Sequence, residues 1–332
     1  MNLVKITLQK TTNQIQINGR LSESFETKSG LRQGDALSTL LFNLALEKIV
    51  RGIQVNPGGS IVNRSIQCLA YADDLVLIAR SLSGLKETSE RIMNASKELG
   101  LEVSKDKTVY METTKVKSRD EVSEIIINDT NYKEVDNVKY LGSLISSDND
   151  CSKDVKERIA AGNRCFFALM KTMKTRYLSK QTKLQIYNTI IKPVVMYGCE
   201  AWVMTEKTKQ QLERWERKIL RKIYGPIKDK NGWRIRTNSE LTQLYKKPNI
   251  ITLIKAKRIE WIGHVSRMDG GRSIKKIFEG KFEGRRDRGR PRLRWTDCVE
   301  RDLCSLGVRN WRRKAENRNE WAIIIKEALA KL

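Results

Sequence analysis

The sequence predicts an α+β first half, an antiparallel sheet with helices on one face. An all-helical region and a second, strongly basic helical region follow, with divisions at 1–147, 148–227 and 228–332. Three observations carry this. Short alternating or apolar runs bounded by Gly, Asn and Asp occupy the first half. Apolar residues at helical spacing dominate after residue 150. The charge is lopsided: residues 1–150 hold 19 basic against 20 acidic side chains, and residues 151–332 hold 45 against 19, a net +26.

Taken in order, Leu3, Ile6 and Leu8 within residues 1–12 have the spacing of a helix end. Gln14–Gly19 alternates and then turns, so it reads as a strand that Phe25–Thr27 pairs with. Gly30-Leu31-Arg32-Gln33-Gly34-Asp35 is a polar loop opening a helix marked by Leu37, Leu40, Leu41 and Leu44. Such a loop aims backbone N–H groups and Arg32 at a phosphate, though Gly and Asp also open helices for capping alone. Asn56-Pro57-Gly58-Gly59 closes that region. Ser83 is a candidate cap for a helix faced by Leu85, Thr88, Ile92, Ala95 and Leu99, and Gly100 stops it. Residues 100–110 turn into a strand. Ile125–Ile127 and Val138–Ile145 complete the antiparallel set.

Beyond residue 150, Val155, Ile159, Phe166, Leu169 and Met173 make one helical stripe, and Leu184, Tyr187, Ile191 and Val194 another, with Pro193 kinking or ending it. Thr205 caps a third, carrying Leu212, Trp215, Ile219 and Ile223 and closed by Gly225-Pro226. Trp261, Val265 and Met268 share a helix face; so do Trp295, Val299, Leu303 and Leu306, and then Trp321, Ile325, Ala328 and Leu332. These stripes are ordinary helix packing. Between them, Lys281–Arg294 is a Gly- and Pro-punctuated linker with seven basic and two acidic residues.

Composition excludes several classes. One histidine, His264, removes His-based triads and His-rich metal sites. Six scattered cysteines argue against a disulfide framework or a zinc finger. No apolar run reaches the ~18 residues that read as a membrane span, and the first residues do not resemble a signal peptide. An intracellular setting, nucleus or cytoplasm, is expected. The +26 half predicts a polyanionic partner, above all nucleic acid.

The chemistry concentrates at Cys68-Leu69-Ala70-Tyr71-Ala72-Asp73-Asp74-Leu75-Val76-Leu77-Ile78, which reads as strand, tight turn, strand. Two adjacent carboxylates repel, and either water or a cation relieves them. A solvated hairpin turn is the bland reading. A divalent metal site for phosphoryl transfer is the sharp one.

The order of four motifs decides between them: Leu31-Arg32-Gln33-Gly34-Asp35 before a helix, Tyr71-Ala72-Asp73-Asp74 in a hairpin, Gly100-Leu101 with Ser104 and Lys107-Thr108, then Tyr140-Leu141-Gly142 as a strand. In that order they resemble the reverse transcriptase palm of non-LTR (LINE-type) retrotransposons. Trp261–Met268 and Gly289–Asp297 resemble the C-terminal region of such elements. The resemblance implies a partial palm over 1–147, a helical thumb over 148–227 and a basic C-terminal region over 228–332. It implies RNA-directed DNA polymerase chemistry on an RNA template and a DNA primer, with Mg²⁺ in a two-ion site. Asp73 would bind metal, with Asp74 its less critical neighbour; Tyr71 would lie beside the primer terminus. Arg32, Gln33 and Gly34 would contact template and nucleotide, and Lys107 would protonate the leaving pyrophosphate. Tyr140, Leu141 and Gly142 would grip the primer.

One departure matters. The family places another metal-binding aspartate on a strand upstream of the Gln-Gly-Asp loop, and residues 1–29 contain no aspartate. The chain therefore reads as a truncated copy, inactive alone, with an incomplete Mg²⁺ site. The alternative is a non-enzymatic nucleic-acid binder using the basic half. In that reading Arg285, Arg286, Arg288, Arg290, Arg292 and Arg294 contact phosphates, and Arg288-Gly289-Arg290-Pro291 is a minor-groove hook. A solvated basic linker is the bland reading of that stretch.

Overall fold

The computed structural model describes residues 11–27, 30–52, 68–113, 124–230, 232–280 and 293–331. They fall into two compact units, one drawn from Met1–Thr108 and Ile126–Asn131, the other from Val109–Ile125 and Tyr132–Leu332.

The first unit opens with a long hairpin. β1 (Thr11–Asn13) pairs antiparallel with β4 (Phe25–Thr27), and β2 (Gln16–Ile17) with β3 (Arg20–Leu21) at the tip. Thr11 and Thr12 are thus strand and not the end of a helix; residues 1–10 lie outside the described residues. The partner of Phe25–Thr27 is Thr11–Asn13, not Gln14–Gly19, because the register shifts by one between Asn13↔Phe25 and Gln16↔Leu21. One extra residue sits on the returning strand, as in a bulge.

α1 (Ala36–Gly52) follows the Gly30–Asp35 loop, and its first turn is held by Asp35, whose Oδ1 accepts from Leu37 N at 3.0 Å. Its Leu40 and Leu44 remain 55% and 59% exposed. β5 (Cys68–Tyr71) and β6 (Asp74–Leu77) form the Asp-Asp hairpin. α2 (Leu82–Glu98) is capped by Ser81, whose Oγ accepts from Gly84 N at 3.2 Å; Ser83 is already inside the helix. Its C-terminus is a Schellman closure: Gly100 N donates to Lys97 O and Leu101 N to Ser96 O, with Gly100 at φ +70°. Ile49 and Ile92 form this unit's small core, with Leu75, Leu77, Ala95 and Leu101 packed on it.

Two strand expectations are corrected. Residues 101–109 are irregular with a turn at 105–107, and only Tyr110 forms a bridge, to Glu134. Thr108 folds back on Ser104 instead, which takes its side chain and N–H. Among the described residues the strands pair only two by two, so the expected antiparallel set is a series of separate pairs and the Tyr71 strand has one partner. Local alternation specifies a hairpin, but a central strand also needs a partner on its second edge. β7 (Glu124–Ile127) and β8 (Thr130–Lys133) make another hairpin.

In the second unit β9 (Asn137–Tyr140) and β10 (Ser143–Ser146) lead into helices. These are α3 (Cys151–Ala168), α4 (Met170–Lys174), α5 (Lys180–Ile186), α6 (Lys192–Met196) and α7 (Glu206–Tyr224). Between α5 and α6 the backbone widens into a π turn, Tyr187–Ile191, where Lys192 N donates to Tyr187 O. Pro193 cannot donate within the helix, so the ladder is rearranged at this point and the chain continues. Thr205 caps α7 and Gly225 ends it at φ 74°. A small hairpin of β11 (Ile227–Asp229) and β12 (Gly232–Arg234) follows, unforeseen because its strands are three residues each and charged.

α8 (Asn238–Tyr245) and α9 (Ile250–Ser266) come next, then α10 (Ser273–Glu279), α11 (Trp295–Ser305), α12 (Trp311–Glu316) and α13 (Arg318–Lys331). One core gathers residues from Val155 to Ile254 and a second from Ala256 to Ala328, so α9 contributes to both. No helix among the described residues is long and apolar enough to cross a membrane.

Candidate functional site

The Asp-Asp turn is built by the pairing Tyr71↔Asp74, which leaves Ala72 and Asp73 as a two-residue loop. Ala72 sits at φ 52°, in the left-handed region where non-glycine residues are uncommon. Strain of this kind persists only where surroundings impose it and clusters at functional sites. Asp73 is in the turn and Asp74 opens β6, both exposed, and Tyr71 is 65% exposed beside them.

Arg32, Gln33 and Gly34 occupy the loop before α1, all exposed. The loop is pinned at Arg32: its Nη2 donates to Thr11 Oγ1 at 3.2 Å, and Ser38 Oγ donates to its carbonyl at 2.6 Å. Gly34, at φ 91°, needs glycine's freedom. Lys107 is exposed and shares no hydrogen bond or ion pair with Asp73 or Asp74.

The donor set does not make a two-metal site by itself. Among the described residues no group of three or more His, Cys, Asp or Glu is gathered that could hold a metal ion. Mg²⁺ demands near-octahedral oxygen coordination, and here one turn carboxylate and its strand neighbour are the local donors.

Tyr140, Leu141 and Gly142 lie in the second unit. Tyr140 ends β9, opposite Ser143, but the other two are a turn and not a strand: Leu141 and Gly142, at φ 45° and 83°, link β9 to β10. Two positive φ values define a type I′ loop, which suits the right-handed twist of the flanking strands. The apolar run Val138–Ile145 hid this.

Side chains of α3 and of the segment after α6 then fasten the turn. Tyr197 Oη donates to Leu141 O at 2.9 Å, and Arg158 Nη2 donates to Gly142 O. The Arg158 guanidinium lies 4.4 Å over the Tyr197 ring. Asp154 accepts from Leu144 N at 2.9 Å and, with its other oxygen, from Trp202 Nε1 at 2.7 Å. Asp154, Arg158, Tyr197 and Trp202 escaped the sequence reading; the one local signal was the i, i+4 Asp–Arg pair on the first helix after the hairpin.

Arg285, Arg286, Arg288, Arg290 and Arg292 lie outside the described residues. Arg294 precedes α11 as its N-cap residue and, as backbone, donates to Asp297 Oδ2 at 3.3 Å.

Residues 2–145 match the family model for reverse transcriptase (RNA-dependent DNA polymerase). A transposon-derived protein of Caenorhabditis elegans is 22% identical over 79% of this chain and 96% of its own length. The Pol polyprotein of the Drosophila melanogaster element R2DM is 34% identical over 27% of this chain, and an R2 Pol polyprotein of Popillia japonica is 23% identical over 67%. The chain spans 8% and 37% of those two polyproteins.

Proposed function

From the premise that residues 2–145 belong to the reverse transcriptase family of non-LTR retrotransposons, we propose that this chain carries part of an RNA-directed DNA polymerase site. The Asp73 turn would face the reacting phosphates and the helical second unit would hold nucleic acid. The family in general uses divalent metal ions and binds a nucleic-acid template and primer. The supporting observation is the strained two-residue turn that presents Asp73 inside the matched segment.

In this reading the chain's own residues divide the work. The pinned Arg32–Gly34 loop orients template and incoming nucleotide through backbone N–H groups, as suits a phosphate. The exposed Lys107 ammonium is free to move to a leaving pyrophosphate and give it a proton. The Leu141-Gly142 turn, immobilised by Arg158 and Tyr197, holds the primer backbone. Preorganised geometry of this kind supplies much of what a phosphoryl-transfer enzyme contributes.

The test is primer extension on an RNA template with Mg²⁺. The chain alone should extend nothing measurable, because residues 1–29 hold no aspartate to complete the donor set. Adding a segment that bears fingers and that aspartate should restore extension. Asp73→Ala should then abolish it and Asp74→Ala should reduce it less. Robust extension by the chain alone would refute the incomplete site.

A second reading, a nucleic-acid binder without catalysis, is favoured by the lack of any three-donor cluster among the described residues. Under it, the complemented protein stays inactive while duplex binding survives Asp73→Ala.

A further inference from the structure

The motif Trp261-Ile262-Gly263-His264-Val265-Ser266-Arg267-Met268 is only partly explained by packing. Ile262 and Val265 are buried. Gly263 is where α13 seats its tryptophan: a Cβ there would lie 2.0 Å from Trp321 Nε1, which donates to Ile259 O at 2.9 Å. Ser266 Oγ donates to Ile262 O within the helix, and Trp261, His264 and Arg267 are among the residues left. They recur every third residue along the helix and so share a face, and all three line one cavity of about 380 Å³. That volume suits a small ligand. Arg318, the first residue of α13, lines it too.

The charges in the cavity are unevenly satisfied. Lys257 pairs with Glu260 at 2.8 Å and feels the charge of Glu200 as well, and the wall as a whole sets three cations against two carboxylates. Arg267 donates to the Ala315 carbonyl, and neither it nor Arg318 has a carboxylate partner among the described residues. Burial, and then the charge of Arg318, hold Arg267 below the ordinary arginine value. Two cations that destabilise one another ask for an anion, and guanidinium groups suit phosphate oxygens. Beside them the Trp261 and His264 rings stand 5.5 Å apart at 37°, an aromatic wall.

We propose that this cavity binds single-stranded nucleic acid, one phosphate held by Arg267 and Arg318 and one base set against the Trp261–His264 ring pair. Base stacking on aromatic side chains beside a cationic groove is how single strands are held without sequence preference. A duplex presents its phosphates on a convex cylinder and keeps its bases stacked inside, so a concave site with ring walls selects the splayed strand. The proposal rests on the basic half being a nucleic-acid surface, and it does not need polymerase activity.

The test uses the whole chain and a labelled dT decamer, with an abasic decamer of the same phosphate count as comparison. Wild type should bind dT more tightly than the abasic strand. Arg318→Gln, an exposed change that breaks no ion pair, should weaken dT binding by about tenfold, against roughly two- to threefold for Arg301→Gln, which removes the same charge on α11. His264→Ala should erase most of the preference for dT over the abasic strand while the denaturant midpoint stays at the wild-type value. Equal losses for Arg318→Gln and Arg301→Gln, or no wild-type preference for bases, would overturn the site. Full displacement of dT by millimolar inorganic phosphate would reduce it to an anion site. Tighter binding of a phosphopeptide of equal charge would reassign it to a protein partner. Failure of the wild-type chain to bind any polyanion would overturn the nucleic-acid reading of the basic half as well.

Discussion

Two glycines on helices show how narrowly single residues are constrained. A methyl on Gly162 would meet Val195 at 2.2 Å and Trp215 at 2.9 Å, and one on Gly263 would meet Trp321 at 2.0 Å. Overpacking of this kind costs about 1–3 kcal/mol, so Gly263→Ala should lower the denaturant midpoint accordingly. Gly270→Ala, with nothing within 4 Å and an ordinary φ, should leave it unchanged. Arg158 is the residue on which the Leu141-Gly142 turn depends. Arg158→Ala removes a charged donor from a carbonyl and a cation from the Tyr197 face. A loss of about 2 kcal/mol is expected by denaturant titration, since hydrogen bonds to charged groups carry ~1.5–3 kcal/mol. Arg158→Lys should recover only part of it, because an ammonium cannot reproduce the planar fork. The Asp73 turn was legible at this scale, as two carboxylates between apolar runs are a local signal. Arg158 was not, because its partner lies 16 residues away in sequence.

Among the elements, α7 and the α5–α6 segment are joined through a buried polar cluster. Lys192 Nζ lies 2.9 Å from Glu216 Oε1 and 2.9 Å from Tyr245 Oη. Tyr187 Oη donates to Glu216 Oε1 at 2.9 Å, and Ile250 N donates to Glu216 Oε2 at 2.8 Å. Glu216→Ala leaves Lys192 buried and unpaired, and about 3–5 kcal/mol of stability should go with it. Burial, aided by Glu216, raises Tyr187 and Tyr245, burial alone raises Tyr224, and burial pushes the Cys199 thiol up to about 12. Unfolded, these groups ionise near 10 for tyrosine and 9 for cysteine. Their contribution is fully present below those values and is lost as pH rises through the folded ones. Lys192 acts oppositely: burial lowers it, so the cost of burying its charge is relieved as pH climbs toward 10.5. Four groups outweigh one, and the urea midpoint should fall between pH 9 and 12. Tyr187→Phe should flatten that fall. The caps Thr205 and Gly225 of α7, like Gly100 of α2, were readable because capping is local; the π turn before Pro193 was not, since a proline signals only a kink or an end.

For the molecule as a whole, the charge contrast sets the expectation: −1 over residues 1–150 against +26 beyond. Binding to duplex DNA should show log K falling with log salt at about −0.9 per phosphate neutralised. Replacing Arg285, Arg286, Arg288, Arg290, Arg292 and Arg294 with Gln should flatten that slope by roughly one unit for each phosphate left without its arginine. A greater loss on A·T-rich than on G·C-rich duplexes would mark Arg288 and Arg290 as a groove hook. An unchanged affinity and slope would return the linker to solvent.

The sequence by itself determined what depends on near neighbours and on sums: the helical second half, its caps and stripes, the Asp73 hairpin, the charge asymmetry and the likeness of residues 2–145 to reverse transcriptases. Tertiary structure decided what depends on distant partners. It made Leu141-Gly142 a fastened turn at the end of the Tyr140 strand, left the Tyr71 strand with one partner among the described residues, and set Trp261, His264 and Arg267 around a cavity with Arg318. Periodicity records which face of an element is apolar, but the group that meets a given carbonyl or cation is chosen only when the chain closes on itself.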